Sequence, residues 1–276
     1  MYNTRLYSGG TISSSATVMN CYLYPNESGD TEAVERGSVS AVAARDLFEQ
    51  LVDTDFVDGY QVYKKELYDS YPGLSGSPSN EFTDWALNNN PDLADEAGCH
   101  MLVGEAIEYA GGAHGSQYQD DSDYPDDFDY DANPNHSAFE YGVTMFTGLS
   151  NKDGTSHSDS RVRNFIMQEN LHVFSSPDYW YPGSGLLNCD DSDVDRWMPD
   201  EHMLGVVWDY GPYGSNPITP FLTSHVTEED DGYAISDSDL RECGPCNETA
   251  DWQGSYYDQI TDCTNDAIKT TVDGIN

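Results

Sequence analysis

The sequence predicts an α+β fold: a mixed sheet with helices over residues 1–174 and an irregular part over 175–276. Three observations carry this reading. Apolar runs of strand length alternate with stretches of helical periodicity through the first part. Turn formers dominate from 175 to 200, and the chain beyond is aperiodic until its end. No repeat and no low-complexity linker divides the two parts, so a single domain over 1–276 is the simplest account.

In chain order, residues 16–24 alternate loosely and stop at Pro25-Asn26, as a strand and turn do. Residues 38–52 place Val39, Val42, Ala43, Leu47 and Leu51 on one face behind a Ser38 cap, an amphipathic helix. A second strand suits 57–67, and a short helix capped by Ser79 suits 79–89. Residues 99–107 form an apolar strand that runs into the small-residue stretch AGGAHG at 110–115. The acidic, aperiodic segment 117–136 reads as a surface loop, and 138–149 as a strand. Residues 158–174 make the best helix in the chain. Val162, Phe165, Ile166, Glu169, Leu171 and His172 crowd one side of it, with Ser158 or Ser160 as cap. A last helix is expected near 256–272.

Charge sets the expected surroundings. The chain has 50 Asp and Glu against 11 Lys and Arg, a formal charge of −39 over 276 residues. In dilute buffer such a charge repels itself and loosens the compact state. At molar salt the screening length falls to about 3 Å and the repulsion fades. Disorder is the rival explanation for high net charge, but 20 Tyr, 9 Phe and 5 Trp supply a core. The expectation is a halophilic, secreted protein with an acidic surface. Without a basic patch to neutralise phosphates, a nucleic-acid partner is excluded. No run of about 18 apolar residues predicts a membrane span. Met1 to Gly10 has no basic stretch followed by an apolar one, so export is expected to use a signal that is not part of this sequence. Six cysteines, Cys21, Cys99, Cys189, Cys243, Cys246 and Cys263, suggest three disulfides in an oxidising compartment. Cys21 and Cys99 fall on two predicted strands and make a plausible pair.

The chemistry is concentrated in Gln168-Glu169-Asn170-Leu171-His172. Its spacing is that of H-E-x-x-H, where the first and fifth side chains share a helical face and hold zinc beside a glutamate base. Here Gln168 stands at the first ligand position. Downstream, His202 within EHMLG is a candidate third ligand. As an accident of composition, the same residues would be ordinary: Gln168 and Glu169 on the helix surface, His172 in the core.

These residues give the chain a resemblance. The order βαβ, helix, edge strand, glycine-rich stretch, motif helix and distal His is similar to the zincin fold of metalloproteases, over roughly residues 16–210. The segments IMQENLHVF, EHMLG, ITPFLTSH and WQGSYYDQITDCTNDAI resemble those of haloarchaeal secreted proteins with a zincin-like core. The resemblance implies an active-site helix at 158–174 with Gln168, His172 and His202 as zinc ligands and Glu169 as general base. It also implies that Tyr210 donates to the oxyanion. Met101, Leu102 and Val103 would lie on a strand that pairs with an extended peptide or protein substrate. An amide oxygen holds zinc less tightly than imidazole, so two functions follow: a zinc-dependent peptidase, or a non-catalytic binding module with a degenerate metal site.

Three further patterns have bland readings. Cys243-Gly244-Pro245-Cys246 spells a dithiol motif, but its acidic neighbours raise thiol pKa values, and disulfides to separate partners such as Cys263 and Cys189 suit an exported chain better. Asp120 to Asp131 offers carboxylates to calcium but lacks the glycine and closing Glu of an EF-hand, so solvated surface is favoured. Asn26-Glu27-Ser28 and Asn247-Glu248-Thr249 match the glycosylation acceptor pattern.

Overall fold

The structure is a computed structural model. It describes residues 3–26, 28–65, 82, 85, 97–104, 111–115, 142–150, 156, 158–172, 217–218, 255–256 and 260. The acidic segment 117–136, most of the helices expected at 79–89 and 256–272, and Cys189, Cys243, Cys246 and Cys263 lie outside the described residues. Two compact units make up what the sequence suggests is one domain. The first is Met1–Asp129 with Asn135–Val173, and the second is Tyr130–Pro134 with Phe174–Asn276.

The first unit is built on a mixed, six-stranded sheet. Its strands are β1 (Asn3–Gly10), β2 (Val18–Pro25), β3 (Gly59–Lys65), β4 (Gly98–Gly104), β5 (Gly111–Gly115) and β6 (Gly142–Gly148), in spatial order β1-β3-β2-β4-β6-β5. The four inner strands run parallel, and β1 and β5 close the two edges antiparallel to their neighbours. A 3-10 helix (Ser28–Val34) and α1 (Val39–Asp53) link β2 to β3, and α2 (Asp159–His172) follows β6. In the second unit, β7 (Pro217–Ile218) pairs in parallel with β8 (Ser255–Tyr256), so the chain at 255–256 is strand where a helix was expected to begin.

Helix α1 starts where Ser38 accepts a hydrogen bond from the Ala41 N–H, the expected cap. Its buried face differs from the expected one. Ser40, Ala41, Ala44 and Phe48 join Ala43, Leu47 and Leu51 in the core, while Val39 and Val42 stay half-buried. Small alanines let the helix lie close to the sheet, and the bulkier valines flank the contact. Its C-terminus closes with paired bonds from Asp55 N–H to Val52 O and Phe56 N–H to Leu51 O, a Schellman arrangement that needs a left-handed residue. Asp55 supplies it at φ 56°. Glycine there carries no Cβ penalty, so Asp55→Gly is expected to raise the unfolding free energy by about 1 kcal/mol. Chemical denaturation checks this, and a fall would mean that the Asp side chain itself fixes the turn.

Alternation along the strands makes two cores. On one face, Met19, Cys21 and Leu23 of β2, Tyr60 and Val62 of β3, and Cys99, Met101 and Val103 of β4 are buried. Helix α1 packs on β2 and β3 on this side, and α2 packs on α1, β5 and β6. The other face buries Tyr22, Tyr24, Leu102 and Phe146 against Phe82 and Trp85, which are both helical. There His100 stacks on Tyr22 at 4.6 Å, and its Nδ1 is 2.9 Å from the Tyr24 hydroxyl. Gly98 opens β4 at φ 142°, where a Cβ would lie 2.6 Å from Asn20 O. Cys21 and Cys99 are register partners on β2 and β4 and stand as free thiols where a disulfide was the expectation. Burial pushes both thiols well above their ordinary range.

Cations are few, and each described one is engaged. Asp46 on α1 accepts from Arg45 Nε at 2.7 Å and from Arg163 Nη2 of α2 at 2.7 Å, tying the two helices together. Arg36 and Arg45 lie over the Tyr7 ring, Arg161 over Phe165, and Lys64 reaches Glu35 at 3.2 Å. Lys65 is 2% exposed, with Nζ 4.5 Å from the Tyr22 ring centre. Arg5 donates to Gln61. Nearby, burial and then the Glu49 hydrogen bond raise the Tyr60 phenol above its ordinary range.

Candidate functional site

Helix α2 carries the motif. Ser158 caps it, its Oγ accepting from the Arg161 N–H at 3.3 Å. The expected one-sided burial gives way to something more complete: from Asn164 to Leu171 every residue is buried. Phe165, Ile166, Met167 and Leu171 account for the apolar part. The same turns also bury Asn164, Gln168, Glu169 and Asn170, with Gln168 and Glu169 each 4% exposed. The reading of Gln168 and Glu169 as helix-surface residues is therefore overturned.

Burying a carboxylate and three amides on one helix costs free energy unless each is paired or used. Asn170 Nδ2 meets part of this cost by donating back to Ile166 O at 2.7 Å, while its Oδ1 has no hydrogen-bond partner. His172 is the last residue of α2 and follows the buried run directly. His202 and Tyr210 lie outside the described residues. Among the described residues no group of three or more His, Cys, Asp or Glu side chains gathers for a metal. The donors offered by α2, an amide oxygen and an imidazole one helical turn apart, are of types that zinc accepts.

The expected substrate strand needs correction. β4 lies inside the sheet, with β2 on one side and β6 on the other, so both its hydrogen-bonding edges are filled. Met101, Leu102 and Val103 are fully buried, and no peptide can add to them. The glycine-rich stretch is instead the edge: β5 pairs with β6 alone among the described strands. Glycines give no apolar alternation, so periodicity could not reveal this strand. Sequence reasoning also missed Asn164 and Asn170; their setting among Phe165, Ile166 and Leu171 was the available signal.

Asn26, which opens one glycosylation pattern, has its amide buried and closed to a glycan in the folded chain. No described helix is long and apolar enough to cross a membrane. No protein-family model matches the chain, and no curated protein matches it in sequence.

Proposed function

We propose that the protein is a secreted, salt-adapted zinc peptidase with a zincin-like fold, for which Gln168, His172 and His202 are the metal ligands and Glu169 is the general base. The observation that carries this reading is the burial of Gln168 and Glu169 on α2. A helix that needed only to pack would place apolar side chains there. The order of elements gives further support: the unit β2-α1-β3, then β4, a glycine-rich antiparallel edge β5, and β6 leading into α2. The resemblance implies the βαβ unit, the glycine-rich stretch and the motif helix in that order; it differs in taking β4 for the edge strand and in having no strand at β6.

Zinc, when bound, supplies a polarised carbonyl and a water acidic enough to lose its proton near neutral pH. Glu169 takes that proton and returns it to the leaving amine. Tyr210 donates a hydrogen bond to the oxygen on which charge develops. An extended peptide adds to the edge of β5 away from β6, where three glycines let the two backbones approach. The amide at 168 favours one second reading, a binding module that uses the same edge without hydrolysis.

Zinc titration of protein purified at molar salt tests the site. Gln168→His is expected to tighten zinc binding by more than the roughly 10–100-fold that outer-shell partners of a metal ligand contribute. His172→Ala and His202→Ala are each expected to lose the metal. Zinc content untouched by both alanine variants would remove the site.

A further inference from the structure

The connections of the sheet part at the carboxyl ends of β2 and β4. From β2 the chain turns through the 3-10 helix and α1 to β3 on one side, whereas the strands after β4 lie on the other. Among parallel strands, such a divergence opens a crevice in which ligands bind. Asn26 and Asp30 follow β2 at this switch point.

The Asn26 N–H donates to Val103 O at 2.8 Å, which extends the β2–β4 pairing by one residue and fixes where the side chain begins. That side chain is 1% exposed, and neither Oδ1 nor Nδ2 has a hydrogen-bond partner. Asp30, in the 3-10 helix, is 7% exposed. A methyl group at Gly104 would lie 2.3 Å from Asn26 Cβ and 2.6 Å from Asp30 Oδ2. The amide and the carboxylate thus converge over one backbone position, and only glycine at 104 leaves them room. A buried amide with both ends idle is a standing cost unless something occupies the place.

We propose that this corner binds a calcium ion, with Asn26 Oδ1 and the Asp30 carboxylate among its ligands. The converging side chains offer hard oxygen donors and no sulfur or imidazole, which selects against zinc. Calcium accepts six to eight oxygens at about 2.3–2.6 Å in irregular arrangements. Magnesium demands a regular octahedron and sheds its water reluctantly, which a closed corner does not suit. A water carried in the calcium shell accepts from Asn26 Nδ2, so one ion with its water satisfies both idle ends of the amide. The ion also clamps the 3-10 helix to the end of β4, where the sheet's two directions of growth separate.

The test uses the full chain, stripped with a calcium chelator at molar salt, with calcium itself as the probe. Equilibrium dialysis is expected to find one saturable site above the diffuse binding of an acidic surface, and Tm is expected to rise as it fills. Asp30→Asn and Asn26→Leu should abolish the saturable site and the rise in Tm while leaving diffuse binding unchanged. Exchanging Asp121 and Asp123 for Asn, in the acidic segment, should change neither. In the wild-type protein the Asn26 side-chain amide signal should move with one equivalent of calcium, a readout that survives if a variant fails to fold. The proposal is overturned by an unmoved Asn26 signal, by the lack of a saturable site, or by loss of that site in the Asp121 and Asp123 variant.

Discussion

Glu169→Gln is expected to abolish peptide hydrolysis, lowering kcat by at least about 10²–10⁴-fold, the usual contribution of a positioned acid–base group. The substitution keeps the volume of the side chain and its capacity to accept a hydrogen bond, but it removes the group that takes a proton. Position 169 is buried within α2, so an isostere of the same shape is expected to retain the fold. Zinc content is expected to stay at the wild-type level, because the proposed site uses 169 as base and not as ligand. A fluorogenic peptide assay beside elemental analysis separates the two effects. Full activity in this variant would leave the chain as a binding module or move the base elsewhere.

Transfer from molar salt to about 0.1 M, where the screening length grows to about 10 Å, is expected to unfold the protein. With 50 acidic side chains against 11 basic ones, self-repulsion then reaches across neighbouring carboxylates. Circular dichroism should show the folded signal lost, and its recovery when salt is restored would identify screening as the cause. An unchanged melting temperature across that range would end the salt-adaptation reading. The Arg163–Asp46 contact between α1 and α2 is half-buried, so bulk ions screen it less than the surface repulsion.

Legibility in the sequence followed how strongly each element depends on side-chain period. Ser38, Ala43, Leu47 and Leu51 announce α1, and Ser158 with Val162, Phe165 and Ile166 announces α2, because cap and period agree. The strands β1 and β5 were missed for opposite reasons. β1 is an edge strand with Leu6 as its one buried residue, and β5 has three glycines in five positions, so neither shows an apolar stripe. β4 teaches a different lesson. Cys99 to Val103 has apolar residues on both of its faces, with His100 as its one polar member, the mark of a strand buried on both faces. Resemblance placed it at an edge, and the physical pattern of its own residues was the better guide. At the site, the motif was readable but its environment was not: helical spacing fixes which residues share a side, whereas the burial of Gln168 and Glu169 depends on what α1, β5 and β6 bring against them.

The engagement of every described Lys and Arg bears on how this fold could be carried into dilute solution. With 50 acidic side chains against 11 basic ones, most carboxylates draw their counter-ions from the medium rather than from the chain. Covalent cations are kept where a fixed direction matters, as for Arg163 on Asp46 or Lys65 against Tyr22. Moving existing arginines to the surface would therefore dismantle internal fastenings without relieving the repulsion. New lysines placed at exposed acidic positions, with Arg45, Arg163 and Lys65 left untouched, would substitute tethered charge for dissolved salt and are expected to raise Tm in dilute buffer without touching the core.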